Sequence, residues 1–216
     1  MKILAMDEAG RGCVLGPLVV GGFVCEDSAI DAVVATGATD SKKLSAKKRE
    51  ALCLLLAPLG EALIVEISVA EIDAGNINAL EERAFAQLIQ RHAPDRVYID
   101  APTNTAGVPA LKRRLWAAVA PLRPELIVEP KADLTYPVVG AASIFAKVHR
   151  DAQLGPLGPV GSGYPSDPVT RAWLKDRLRE GALPACVRSR WGTIENLRQE
   201  MIAEEVPRGA TANDGG

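Results

Sequence analysis

Metal-binding imidazole and regularly spaced cysteine are what this chain has least of. Only His92 and His149 are present, and Cys13, Cys25, Cys53 and Cys186 are scattered with no Cys-x-x-Cys pair. A structural zinc site is therefore not expected. The thiols are expected to be free and mostly buried in a reducing compartment, with a pairing of Cys186 to an earlier cysteine left open. No stretch approaches the roughly 20 uncharged apolar residues that a membrane helix requires. The start, Met1-Lys2-Ile3, runs into an apolar strand instead of a signal peptide, so a cytoplasmic protein without membrane attachment is expected. There is no internal repeat. Positive charge is also short: 25 Lys and Arg against 27 Asp and Glu leave a formal charge of -2. That total argues against a nucleic-acid partner, because phosphate contacts dominate such binding. Its distribution removes that difficulty, since residues 131–198 hold ten Lys or Arg against six Asp or Glu, and a small basic face beside an acidic site is compatible with the total.

What is present is an apolar chain, 48% hydrophobic over 216 residues, which suits one domain or one domain with a small appendage. Its most informative segment is Met6-Asp7-Glu8-Ala9-Gly10-Arg11-Gly12. Two acids end the first apolar run and a bare backbone loop follows. Such a pair alone usually sits in a solvated turn. Two further β-branched runs, Arg96-Val97-Tyr98-Ile99-Asp100 and Leu126-Ile127-Val128-Glu129 followed by Lys131-Ala132-Asp133, also stop at or just before an Asp. Strand ends of an α/β sheet are where ligand sites form, so Asp7, Glu8, Asp100 and Asp133 can converge.

Periodicity predicts strands over 3–6, 17–25, 61–69, 96–100 and 125–128. Helices are predicted over 45–57 behind a Ser45 cap, 77–92, 108–120, 137–151, 168–180 and 198–205. The βαβα run in the middle predicts parallel pairing beside the earlier strands. Residues 155–168 are broken repeatedly by Gly and Pro and are expected to form an ordered loop, and 207–216 a disordered tail. His92, at a helix end, is expected to interact favourably with that terminus, and His149 to be structural.

The ordered set Asp7-Glu8-Ala9-Gly10-Arg11-Gly12, Gly16-Pro17, Asp40-Ser41-Lys42-Lys43-Leu44, Tyr98-Ile99-Asp100, Lys131-Ala132-Asp133 and Ala141-Ala142-Ser143-Ile144-Phe145-Ala146-Lys147-Val148 resembles ribonuclease HII. Gly161-Ser162-Gly163-Tyr164-Pro165-Ser166-Asp167-Pro168 and Arg190-Trp191-Gly192-Thr193 resemble its archaeal and eukaryotic-like branch. The resemblance implies an α/β fold: a ribonuclease H-like mixed five-stranded sheet flanked by helices, with a C-terminal helical appendage. The implied division is a catalytic core over 1–155 and a substrate-binding helical region containing Tyr164 over 156–206.

By the same resemblance, Asp7, Glu8, Asp100 and Asp133 are catalytic and hold two Mg2+ or Mn2+ ions, with Asp7 shared between them. Hard oxygen donors suit those metals. Gly10, Arg11 and Gly12 would bring main-chain groups close to a ribose and sense its 2′-hydroxyl, the group that distinguishes RNA from DNA. Tyr164 would stack on the following sugar. Lys42, Lys43, Lys131, Ser143 and Lys147 would position phosphates, Ser143, Lys147 and Asp151 being spaced by four on one helix face. Arg150 and Asp151 are read as a structural ion pair. The expected activity is hydrolysis of RNA in RNA-DNA hybrids and cleavage 5′ to single ribonucleotides in duplex DNA, leaving 3′-hydroxyl and 5′-phosphate ends. Its use would be removal of misincorporated ribonucleotides and primer remnants.

Two rival readings fit the same residues. A ribonuclease HIII-like enzyme handles lone ribonucleotides poorly and usually carries an extra N-terminal domain, for which a first strand at residue 3 leaves no room. A non-catalytic hybrid-binding module would need the basic face but not the four carboxylates. A monomer is expected. A sliding-clamp partner stays open, because residues 199–206 lack the paired aromatics of a docking peptide.

Overall fold

Strand β1 (Lys2–Ala9) is the centre of the structure because both of its faces are apolar. The computed structural model describes residues 1–38 and 44–205. Ile3, Leu4, Ala5 and Met6 are all fully buried. Leu4 and Met6 join one hydrophobic cluster and Ile3 and Ala5 another, as the twofold alternation of a strand requires.

Strands β2 (Leu18–Glu26), β3 (Glu61–Ile67), β4 (Arg96–Asp100) and β5 (Glu125–Glu129) complete one mixed sheet in the order β3-β2-β1-β4-β5. Strand β2 runs antiparallel to both of its neighbours, β1 and β3, while β4 is parallel to β1 and β5 to β4. The parallel half arises from two crossovers, through α4 (Ile77–His92) and α5 (Val108–Val119). Phe85, Leu88, Leu111 and Leu115 from these helices cover the face that carries Leu4 and Met6. Helices α2 (Ala46–Leu56) and α7 (Pro137–Leu154) cover the other face, with Leu52, Leu56, Val138 and Ile144. Helix α7 lies so close to β2 that a Cβ at Gly21 would come within 2.4 Å of the Ala142 carbonyl, so that strand position needs glycine.

Short helices α1 (Ile30–Ala35), α3 (Val69–Ala74) and α6 (Ala132–Thr135) fill the connections. Two further helices, α8 (Pro168–Arg179) and α9 (Gly192–Glu205), form the C-terminal region. That region has its own small core of Leu154, Val160, Leu174, Val187, Ile194 and Leu197, into which Val14 and Leu15 from the loop after β1 insert.

The mixed five-stranded sheet, the ribonuclease H-like fold and the helical C-terminus agree with the sequence-based expectation. The Ser45 cap of α2 is present, accepting from the Lys48 amide at 3.3 Å. Several details differ. Helix α9 begins six residues earlier than periodicity suggested, and α3 was not expected. His92 sits in the last turn of α4, 3.9 Å from Glu61; burial first, with Lys2 and Arg91 adding, holds its pKa below the ordinary value against the pull of Glu61. The Lys2 ammonium also donates to the His92 carbonyl at that helix end, at 2.6 Å. All four cysteines are free, with Cys13 and Cys25 buried. Among the described residues no helix is long and apolar enough to cross a membrane.

Candidate active site

Parallel register sets the first two carboxylates side by side. Met6 pairs with Ile99, so Asp7 and Asp100 leave neighbouring strand ends at the same level. Alternation turns both toward the face that carries Ala5 and Tyr98. On β5, Glu129 pairs with Asp100, and the chain then turns through Lys131 in the left-handed conformation (φ 63°) to start α6. That turn delivers Asp133. Carboxylate oxygens of Asp7, Asp100 and Asp133 lie within 4.8 Å of one another, with Asp7 and Asp133 buried.

Glu8, one residue past Asp7, projects to the opposite face and is not part of this three-way group. Its backbone amide donates to Asp7 Oδ1 at 2.7 Å, and its own Oε2 is buried with no hydrogen-bond partner among the described residues. Burial, then the charges of Asp7, Glu81 and Asp100, push the Glu8 carboxyl well above the ordinary carboxylate range. Burial likewise pushes Asp100 up to about 6, with Asp7 and Asp133 adding and the Ala132 and Lys131 amides opposing. Crowded hard oxygens, a buried carboxylate oxygen without a donor and no nitrogen or sulfur ligand in the cluster fit a magnesium-type divalent cation.

The glycine turn sits against this cluster. Gly10 has φ +86°, and a Cβ there would come within 2.7 Å of both Arg150 and the Pro17 carbonyl. Arg188, fully buried, donates to the carbonyls of Gly10 at 2.7 Å, Arg11 at 3.0 Å and Gly16 at 3.0 Å. Burial lowers its pKa to about 10, with the Arg150 charge adding, which leaves it protonated at neutral pH. The Arg11 side chain turns away to Glu81 Oε2 and Asn78 Oδ1 on α4.

Tyr164 rises beside the turn: a Cβ at Gly12 would lie 3.5 Å from its ring. Its loop is tied by side-chain hydrogen bonds. Asp167 accepts from the Ser162 amide at 2.5 Å, the Ser162 hydroxyl at 2.7 Å and the Val169 amide at 2.9 Å, which hold its carboxyl down at about 2. Arg150 donates to the Ser162 carbonyl at 3.0 Å and lies 5.9 Å from the Tyr164 ring centroid. One cleft is lined by Asp7, Glu8, Asp100, residues 10–12 and Tyr164, with Arg49 and Lys147 along its wall.

Other expected site residues are placed less directly. Ser143 is fully buried and accepts from Lys147 Nζ at 2.5 Å, so any role on phosphate passes through that amine. Lys131 is exposed in its turn. Lys42 and Lys43 lie outside the described residues. Arg150 and Asp151 are 3.7 Å apart, yet the shorter contact of Asp151 is to Arg49 at 2.7 Å, and Arg150 serves the Tyr164 loop. Three residues around the site escaped sequence reasoning: Glu81, Arg150 as a loop support, and Arg188.

A ribonuclease H-like sheet with acids gathered at its central parallel strand ends defines a nuclease architecture. Residues 4–194 match the ribonuclease HII family model. The chain is 40% identical over 205 residues to a ribonuclease HII of Archaeoglobus fulgidus, covering 91% of this chain and 97% of that protein. Its fold is similar to the structure of the PCNA:RNase HII complex from that organism (TM-score 0.84, 38% identity, 94% of this chain and 99% of that one). A similar fit is found to the ribonuclease H2 of Pyrococcus horikoshii OT3 (TM-score 0.82, 35% identity, 94% and 99%). The chain belongs to the ribonuclease HII family, and is a divalent-metal-dependent endonuclease.

Proposed function

We propose that the protein hydrolyses RNA in RNA-DNA hybrids and cleaves on the 5′ side of single ribonucleotides embedded in duplex DNA. The observation that carries this reading is the joining, in one cleft, of an acidic cluster with a main-chain turn and a tyrosine ring. Asp7, Asp100 and Asp133, with Glu8 reaching the same cleft from the opposite face of β1, are the residues that would hold the cations. Two divalent ions, Mg2+ or Mn2+, would supply an activated water and neutralise charge on the phosphodiester.

The chain's own residues would select the substrate. Main-chain groups of Gly10, Arg11 and Gly12 would meet the ribose and its 2′-hydroxyl, since no side chain of the two glycines holds the sugar off. Tyr164 would pack on the next sugar, where a second hydroxyl fits poorly, so an RNA-to-DNA junction is preferred. Lys147, supported by Ser143, would hold a backbone phosphate, with Lys131, Lys42 and Lys43 contributing along the strand.

In this reading residues 156–206 act as the substrate-binding region, the working unit is a monomer in the cytoplasm, and the products carry 3′-hydroxyl and 5′-phosphate ends. A sliding clamp is a further partner, supported by the Archaeoglobus protein having been solved with PCNA. Turnover of a duplex with one ribonucleotide by Asp7→Asn tests the reading. Near-normal turnover would refute the assignment of the carboxylates. Comparing substrates with one and four ribonucleotides checks the single-ribonucleotide part.

A further inference from the structure

Glu81 is a fully buried carboxylate on the face of α4 that otherwise presents Ala84, Phe85, Leu88 and Ile89 to the sheet. A charge there is costly unless something holds it. Arg11 covers Oε2, and Oε1 has no hydrogen-bond partner among the described residues. Only one side of the carboxylate is compensated. Nothing in the packing of α4 asks for an acid at that position, because its neighbours on the stripe are apolar.

The contact makes sense from the side of Arg11. Its guanidinium reaches two residues of one helix, Glu81 and Asn78, three positions apart and therefore on one face. Asn76 caps the start of that helix by accepting from the Asn78 and Ala79 amides at 2.9 and 3.2 Å, so the anchor itself is fixed. Arg188 grips the Gly10 and Arg11 carbonyls from the C-terminal region. The turn is thus held on two sides: by its carbonyls from Arg188 and by its one long side chain from α4.

We propose that Glu81 is a positioning residue for ribose recognition, acting through Arg11 to fix the Gly10-Arg11-Gly12 turn on α4; the inference rests on that turn reading the sugar. A contact to the 2′-hydroxyl present in both ground and transition states shows itself in KM. Loosening the turn therefore raises KM and leaves kcat largely intact. A direct role of Glu81 toward the metal cluster would instead lower kcat and raise the Mn2+ concentration needed for half-maximal rate.

The test uses the full chain, a duplex with a single ribonucleotide, and the variants Glu81→Gln, Arg11→Met, their combination, and Gly12→Ala. Glu81→Gln and Arg11→Met are each expected to raise KM about tenfold, with the double variant no worse than Arg11→Met, because the two act as one unit. Glu81→Gln is also expected to melt close to the wild-type temperature, since the lost ion pair with Arg11 is offset by removal of a buried charge that Arg11 compensates on one oxygen only. Additive effects, a fall in kcat with KM unchanged, or a lowered melting temperature with kcat and KM both impaired would overturn the proposal. Gly12→Ala keeps the outcomes apart: its Cβ meets only ordinary contact at 3.5 Å from Tyr164, so the fold tolerates it. An unchanged KM for Gly12→Ala refutes sugar reading by the turn. A raised KM for Gly12→Ala beside an unaffected Glu81→Gln refutes the role of Glu81 alone.

Discussion

Arg188 and Gly10 are 178 residues apart in the chain, and the buried guanidinium of the first donates to the carbonyl of the second at 2.7 Å. The same group reaches the Arg11 and Gly16 carbonyls and lies 4.8 Å from the Trp191 ring centroid. Next to it, Asp73 on α3 accepts from the Ser189 amide and hydroxyl, both at 2.8 Å. The C-terminal segment is therefore stitched to the glycine turn. Arg188→Ala would remove this donor from the Arg11 and Gly16 carbonyls and leave the Gly10 carbonyl with the Cys13 amide at 3.2 Å, and is expected to destabilise the protein by about 3–5 kcal/mol. Denaturant unfolding followed by circular dichroism measures this, and a loss below about 1 kcal/mol would contradict it.

The carboxylate cluster gives the metal-free protein an inverted pH dependence. Burial, with Asp7 and Asp133 adding, pushes Asp100 up to about 6, above the ordinary aspartate value, so the folded state binds its proton more tightly than the unfolded state does. The stabilisation from that proton is present below pH 4 and is lost as pH rises through 6. Glu8 is shifted in the same direction. Melting in chelator is therefore expected to show a component that falls between pH 4 and 7 and that Asp100→Asn reduces, leaving the part due to Glu8. Saturating Mg2+ is expected to raise the melting temperature more at pH 8 than at pH 5, because protons compete for the same oxygens.

Tyr164 is 45% exposed, so its ring contributes little to the core. Tyr164→Ala is expected to change stability by less than about 1 kcal/mol and to cut cleavage at a single ribonucleotide at least about tenfold. Tyr164→Phe separates the roles: retained cleavage would assign the effect to stacking and lost cleavage to the hydroxyl. Steady-state assays on one duplex measure all three proteins.

Much of this was legible along the chain because the relevant signals are local. Asp7 and Asp100 end apolar runs that can only be strands, and the alternation of strands and helices after residue 60 requires parallel pairing. Helix α3 was hidden because six residues carry too little periodicity; its one signal is the Ser68 and Glu71 capping box. Glu81 reads as a solvent-facing acid until its spacing is compared with Phe85, Leu88 and Ile89, which puts it on the apolar stripe. Arg188 carries no such signal. Its burial is fixed by contacts with residues 10–16, and the segment 181–191 lacks any repeat from which a long-range partner could be read.

The central claim is that Asp7, Asp100 and Asp133 form one cation site. Anomalous scattering from crystals grown with Mn2+ tests it most directly. The account predicts a strong peak within coordination distance, about 2.0–2.3 Å, of oxygens from all three carboxylates. Ordered side chains with no peak among them, or a peak served by only one of the three, would contradict it.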